Sequence, residues 1–217
     1  MKAIIFDMDG LMIDSERLYF QAEREIAWTF GRNIRDEILQ KMMGRNPIEG
    51  MEILVRELEL PISSQEAVRM RNDLMRQKMR TGLRAMPGLS HIIDAFYGRL
   101  KLAISTGAQK EFLDIAVDSL GIRRKFDLLQ ASDEIARGKP DPEIFLKTCE
   151  GLGLEPEECI VLEDSENGVR AARRAGCFVI AVPSEYTHMQ DFCPAHFVAS
   201  DLQEAANHIE ALICSGS

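Results

Sequence analysis

Residues 1–10 read Met1-Lys2-Ala3-Ile4-Ile5-Phe6-Asp7-Met8-Asp9-Gly10, and this stretch decides how the rest of the chain is read. Ala3 to Phe6 is a short apolar run of the kind that forms a buried strand. It ends at two aspartates one residue apart, followed by a glycine. Side chains i and i+2 of a strand share a face, so Asp7 and Asp9 can stand side by side. Close carboxylates tend to share a proton or to bind a cation. A merely acidic loop is the plainer account of a lone Asp-x-Asp, so the sequence around it must decide.

From Pro87-Gly88 onward, apolar runs alternate with helical periodicities. The expected order is helix 89–97, strand 100–104, helix 109–120, strand 126–131, a helix from Asp141, and strand 159–162. A helix ended by Gly176, strand 178–182, a weak strand at 196–199 and a final helix follow. This alternation predicts a parallel α/β sheet. In open parallel sheets ligands bind at the carboxyl ends of the strands, where Asp7 and Asp9 fall.

Residues 15–83 differ, with several helices and no convincing strand. Ser15 opens a helix carrying Leu18, Ala22, Ile26 and Phe30, stopped by Gly31. Asp36–Met43 gives a short second helix ended by Gly44. Pro47 suits the first turn of a third. Ser63 with Glu66 matches a capping box for a fourth, running towards Arg80. The expected division is therefore 1–14 with 84–217 as the core domain, and 15–83 as an inserted helical cap. Trp28 and Phe30 are expected to pack that cap, or one of them to line the cleft.

Composition narrows the function. The 217 residues, 46% hydrophobic and 28% charged, suffice for a substantial core plus a small accessory domain. A net charge of −9 disfavours sequence-independent nucleic-acid binding, which needs Lys and Arg against phosphates. Five scattered cysteines without a Cys-x-x-Cys pair suit a reducing compartment and carry no zinc signature. The apolar start is too short for a signal peptide, and no stretch approaches membrane-spanning length. A soluble cytoplasmic protein without membrane or nucleic-acid partners is expected.

Three further signals stand at element boundaries. Ser105-Thr106-Gly107, after the second strand, can present hydroxyls and free backbone N–H groups to a phosphate, or simply cap a helix. Lys139, before Pro140 and Pro142, offers a fixed ammonium to a nucleophilic aspartate and a phosphoryl group, or is a surface lysine. Glu163-Asp164, at the end of strand 159–162, suits oxygen-ligated Mg²⁺, or is a solvated pair favoured by a helix dipole.

In that order, these segments resemble the four motifs of the haloacid dehalogenase-like superfamily. Phe6-Asp7-Met8-Asp9-Gly10-Leu11 resembles the first, Ser105 the second, Lys139 the third and Glu163-Asp164 the fourth. Asp7–Glu16, Gly138–Phe145 and Glu163–Val169 are most similar to the subgroup of β-phosphoglucomutase, sugar-phosphate phosphatases and pseudouridine-5′-phosphatase. The resemblance implies a Rossmann-like parallel sheet core with helices on both faces and an inserted helical cap. It implies Asp7 as nucleophile, Asp9 as general acid–base, and Ser105, Thr106, Gly107 and Lys139 around the phosphoryl group. It also implies Mg²⁺ held by Asp7, the backbone carbonyl of Asp9, Asp164 and Glu163. The substrate is then a small phosphate monoester, sugar-like by resemblance, contacted from the cap by Glu16 and Arg45. A monomer is expected.

A leaving halide needs no proton, so Asp9 argues for an oxygen leaving group. A β-phosphoglucomutase-type transfer is disfavoured because the cap loop reads Gly44-Arg45-Asn46-Pro47-Ile48 and Tyr19 stands where the mutase carries histidine. An inactive binding or regulatory relative could have lost Asp7, Asp9, Ser105, Lys139 or Asp164 without harm to its core, and all five are present.

Overall fold

A computed structural model describes residues 1–43 and 45–215. The chain divides into two compact units, Met1–Asp14 with Arg84–Ser217, and Ser15–Leu83.

The first unit holds strands β1 (Ala3–Phe6), β2 (Lys101–Ser105), β3 (Leu128–Gln130), β4 (Cys159–Glu163), β5 (Phe178–Ala181) and β6 (Phe197–Val198). They form one sheet in the order β3-β2-β1-β4-β5-β6, with every pairing parallel. Helices α5 (Leu89–Phe96), α6 (Lys110–Ser119), α7 (Glu143–Leu152), α8 (Glu166–Ala175) and α9 (Leu202–Ser215) supply the crossovers and the final element. Ala3, Ile5, Ala103, Val161 and Val179 cluster with Phe145 and Leu152 of α7 and Val169 and Ala172 of α8. The alternate residues Ile4, Phe6, Leu102, Ile104, Leu162 and Ile180 are equally inaccessible, so helices cover both faces. Strands buried on both faces must be apolar throughout, which is why each reads as a continuous run rather than an alternation.

The second unit contains α1 (Ser15–Thr29), α2 (Asp36–Met42), α3 (Pro47–Glu57) and α4 (Ser64–Gly82). Asn46 caps α3 by accepting from Glu49 N, with Pro47 in the first turn, and Ser63 caps α4 by accepting from Glu66 N. Its core joins Ile26, Ile38, Met42, Met51, Leu54 and Ala67, with Phe30 packed against them. Trp28 departs from the expectation, standing 77% exposed. The buried stripe of α1 runs through Leu18, Ala22, Ile26 and Ala27, and position 28 falls on the far side of it. Gly44, expected to end the second helix, lies outside the described residues.

Most elements begin or end within two residues of expectation. Helix α7 starts at Glu143 rather than Asp141; the Asp141 carboxylate accepts from Glu143 N two residues on, closing a turn that precedes the helix. Ser105 and Glu163 are the last residues of their strands, not the first after them. No helix among the described residues is long and apolar enough to cross a membrane.

Candidate active site

Strand register sets the site. Phe6 is paired with Ile104 on one side and Leu162 on the other. The next residue along each parallel strand is Asp7, Ser105 and Glu163, so three polar residues form one row across the middle of the sheet's carboxyl edge. Asp7 N donates to Leu162 O at 3.0 Å, extending the ladder by one step. All three are buried.

Lys139 reaches this row from the loop before α7. Its Nζ donates to Asp7 Oδ1 and to Glu163 Oε1, each at 2.5 Å, and to the Ser105 carbonyl at 3.4 Å. The Phe145 ring lies 5.0 Å from the same nitrogen, within cation–π range. The loop is itself pinned: the Glu143 carboxylate accepts from Ala136 N and Arg137 N, both at 2.9 Å.

Glu163 accepts from three protein donors. Besides Lys139, its Oε2 accepts from Ser165 N at 3.1 Å and Ser165 Oγ at 2.9 Å. Two glycines permit the crowding around the acids. Gly10 has φ +78°, and a Cβ there would lie 2.2 Å from Asp164 Oδ2. A Cβ on Gly168 would lie 1.8 Å from Glu163 Oε1.

Asp9 is half-buried and accepts from Thr106 Oγ1 at 3.3 Å. The Thr106 hydroxyl in turn accepts from Ala108 N at 3.0 Å, shaping the turn after β2. A Cβ built on Gly107 in this turn would meet nothing within 4 Å. Glu16 and Arg45 belong to the second unit. Glu16 Oε2 accepts from Ser15 Oγ at 3.1 Å, and Arg45 Nε donates to the Lys41 carbonyl at 2.8 Å.

The electrostatics follow from burial and neighbours. Burial raises the Asp7 pKa well above its usual range; Lys139 opposes this, while Glu163 and Asp9 add to it. Burial alone would lower Lys139, but the carboxylates of Asp7 and Glu163 outweigh it and hold its pKa above that of an ordinary lysine. Asp7, Glu163 and Asp164 offer carboxylate oxygens all within 4.8 Å of one another. With Asp9 nearby, one ammonium faces several acids. An all-oxygen donor set carrying excess negative charge fits a hard divalent cation such as Mg²⁺.

Two buried residues of α7, Phe145 and Thr148, touch this site and were not expected there. Thr148 Oγ1 lies 3.2 Å from Ser105 Oγ. A buried phenylalanine and threonine on an amphipathic helix read as core, and no local signal in the sequence distinguishes them.

Comparison with known proteins adds an independent line. Residues 4–182 match the family model described as haloacid dehalogenase-like hydrolase. The chain is 35% identical over 178 residues to a phosphorylated carbohydrates phosphatase of Thermotoga maritima, covering 81% of this chain and 82% of that protein. It is 26% identical to a fructose-1-phosphate phosphatase of Escherichia coli, over 82% of this chain and 95% of the other. Among solved structures, a mutant of CbbY from Rhodobacter sphaeroides in complex with xylulose-(1,5)bisphosphate superposes with TM-score 0.83 at 26% identity. That match covers 94% of this chain and 96% of the other.

Proposed function

Since this chain belongs to the haloacid dehalogenase-like hydrolases, we propose that it is a magnesium-dependent phosphatase acting on a small phosphorylated carbohydrate through a covalent intermediate on Asp7. The observation that carries this reading is the convergence of Asp7, Glu163 and Asp164 with Lys139 at the carboxyl edge of the central strands. The carbohydrate preference is supported by the named activities of the relatives from Thermotoga maritima and Escherichia coli.

In the first step an Asp7 oxygen attacks phosphorus and the bond to the leaving oxygen breaks, giving an aspartyl phosphate. Asp9 gives its proton to the departing alkoxide, held for this by Thr106. In the second step Asp9 takes a proton from water as that water attacks phosphorus, releasing inorganic phosphate and restoring the Asp7 carboxylate. Ser105 and the N–H groups of the turn at Thr106 and Gly107 hold phosphoryl oxygens, and the open space beside Gly107 leaves room for them. Lys139 favours the ionised form of Asp7 against the effect of burial and offsets charge in the transition state. Mg²⁺ would be held by Asp7, Asp164, the Asp9 carbonyl and, directly or through water, Glu163, and would supply positive charge to the phosphoryl oxygens. The second unit acts as a cap that selects the substrate, with Glu16 and Arg45 as its contacts.

The test is phosphate release from p-nitrophenyl phosphate and a panel of sugar phosphates with Mg²⁺ present. Asp7→Asn should abolish turnover, and Asp9→Asn should lower it by ~10²–10⁴-fold. Full turnover in Asp7→Asn would refute the covalent role. Interconversion of glucose phosphates without net release would identify a mutase instead, and no turnover of any kind would indicate a binding protein.

A further inference from the structure

Resting on that reading, we propose that Thr148 is a positioning residue for Ser105, its hydroxyl deciding which way the serine proton points. Both side chains are wholly buried, Thr148 on α7 and Ser105 at the end of β2. The Thr148 hydroxyl has two acceptors within reach, the Ile144 carbonyl at 2.8 Å and Ser105 Oγ at 3.2 Å.

A hydroxyl carries one proton and two lone pairs. With the Thr148 proton on Ile144, Thr148 Oγ1 is an acceptor that competes with a phosphoryl oxygen for the Ser105 proton. With the Thr148 proton on Ser105 Oγ, the serine proton is released to donate to a phosphoryl oxygen. An incoming phosphoryl oxygen favours the second arrangement, and a donor on α7 makes it possible. A mid-helix threonine often bonds the carbonyl four residues back merely to satisfy itself. That accounts for Ile144 but not for the second acceptor being the serine in the row with Asp7. The same helix also sets Phe145, three residues earlier and on the same face, beneath Lys139. One helix face therefore supports two of the groups that meet the phosphoryl oxygens.

Steady-state kinetics and melting temperatures would be measured for Thr148→Val, Thr148→Ser, Ser105→Ala and the double variant Ser105→Ala/Thr148→Val. Loss of one oriented hydrogen bond should lower kcat about tenfold in Thr148→Val, while Thr148→Ser stays near wild type. The double variant should be no slower than Ser105→Ala alone, because Thr148 acts through the serine. Additive losses in the double variant, or wild-type kcat in Thr148→Val beside an impaired Ser105→Ala, would overturn the proposal while leaving the phosphatase reading intact. Undiminished turnover in Ser105→Ala would overturn it too. Absence of phosphate release by the wild-type protein would remove the phosphatase reading and this proposal together. Should Thr148→Val fail to fold, Thr148→Cys, similar in size with only a weak donor, takes its place and is expected to be equally slowed.

Discussion

A methyl group at Gly168 sets two effects of opposite sign against each other. Gly168 lies in the first turn of α8, where Ser165 Oγ accepts from its N–H. Helix propensity favours alanine over glycine by about 1 kcal/mol. Sterics oppose it: the new Cβ would lie 1.8 Å from Glu163 Oε1, 1.9 Å from Cδ and 2.2 Å from Oε2. Non-bonded carbon contacts settle near ~3.5 Å, so the carboxylate must retreat by on the order of 1.5 Å. A loose carboxylate would swing aside at little cost, but this one is held by Lys139 Nζ, Ser165 N and Ser165 Oγ. Hydrogen bonds to charged groups contribute about 1.5–3 kcal/mol each. Losing two of them and gaining the propensity term leaves a net destabilisation of about 3 kcal/mol. For a chain of this size that corresponds to a fall of roughly 6–12 °C in melting temperature. Calorimetry of Gly168→Ala should show this fall in the transition of the unit containing α8, and turnover should drop because Lys139 loses an anchor. A variant that melts at or above wild type with undiminished turnover would mean that Glu163 is not pinned as described.

Lys139→Met leaves Asp7 and Glu163 buried without their shared cation, and should cost about 3–5 kcal/mol in a denaturant titration at pH 7 together with all turnover. In the helical unit, burial pushes the Glu23 pKa up to about 7 against the opposing charges of Arg71 and Arg24. Its unfolded value is 4.5, so the folded unit is favoured below pH 4.5 and loses about 3 kcal/mol as pH rises to 7. Glu23→Gln should flatten that slope and unfold at higher urea than wild type at pH 8 while differing little at pH 4; equal pH slopes for the two would contradict it. Chelation of divalent cations should stop phosphate release, and added Mg²⁺ should restore it. Trp28→Ser, at an exposed position, should shift stability by less than about 0.5 kcal/mol.

The core of the site was legible because it depends on regularities that act along the chain. Apolar runs locate β1, β2 and β4, parallel pairing aligns their carboxyl ends, and the polar residues ending each run then share one edge. The placement of Asp7, Ser105 and Glu163 on one edge needed no more than this, whereas the roles expected of them rest on the family resemblance. Lys139 is different: the prolines mark a rigid loop, but only the fold brings it to β1 from 132 residues away. Thr148, Phe145 and Gly168 were hidden for a related reason. Each looks locally like ordinary helix packing, and its importance comes from one partner in space: Ser105, Lys139 or Glu163. Glu23 was hidden inside an otherwise apolar stripe, where charge type says nothing of burial. Trp28 was misjudged by hydrophobicity alone, when its phase relative to Leu18, Ala22 and Ile26 already placed it on the outer face.

The charge distribution ties these parts to one chemistry. A chain of net charge −9 gives no long-range help to a phosphate dianion. At the site, Asp7, Asp9, Glu163 and Asp164 meet one ammonium, and that ammonium is already shared between Asp7 and Glu163. Lys139 therefore offsets the protein's own acids before it can offset any of the substrate's charge. On the proposed reading the N–H dipoles after β2 and the hydroxyls of Ser105 and Thr106 would orient phosphoryl oxygens but would add no net positive charge. A divalent cation would reduce this excess of negative charge, and the donors are the oxygens such a cation prefers. If the proposed function holds, cation and phosphate ester would strengthen each other's binding, by the same factor in either order.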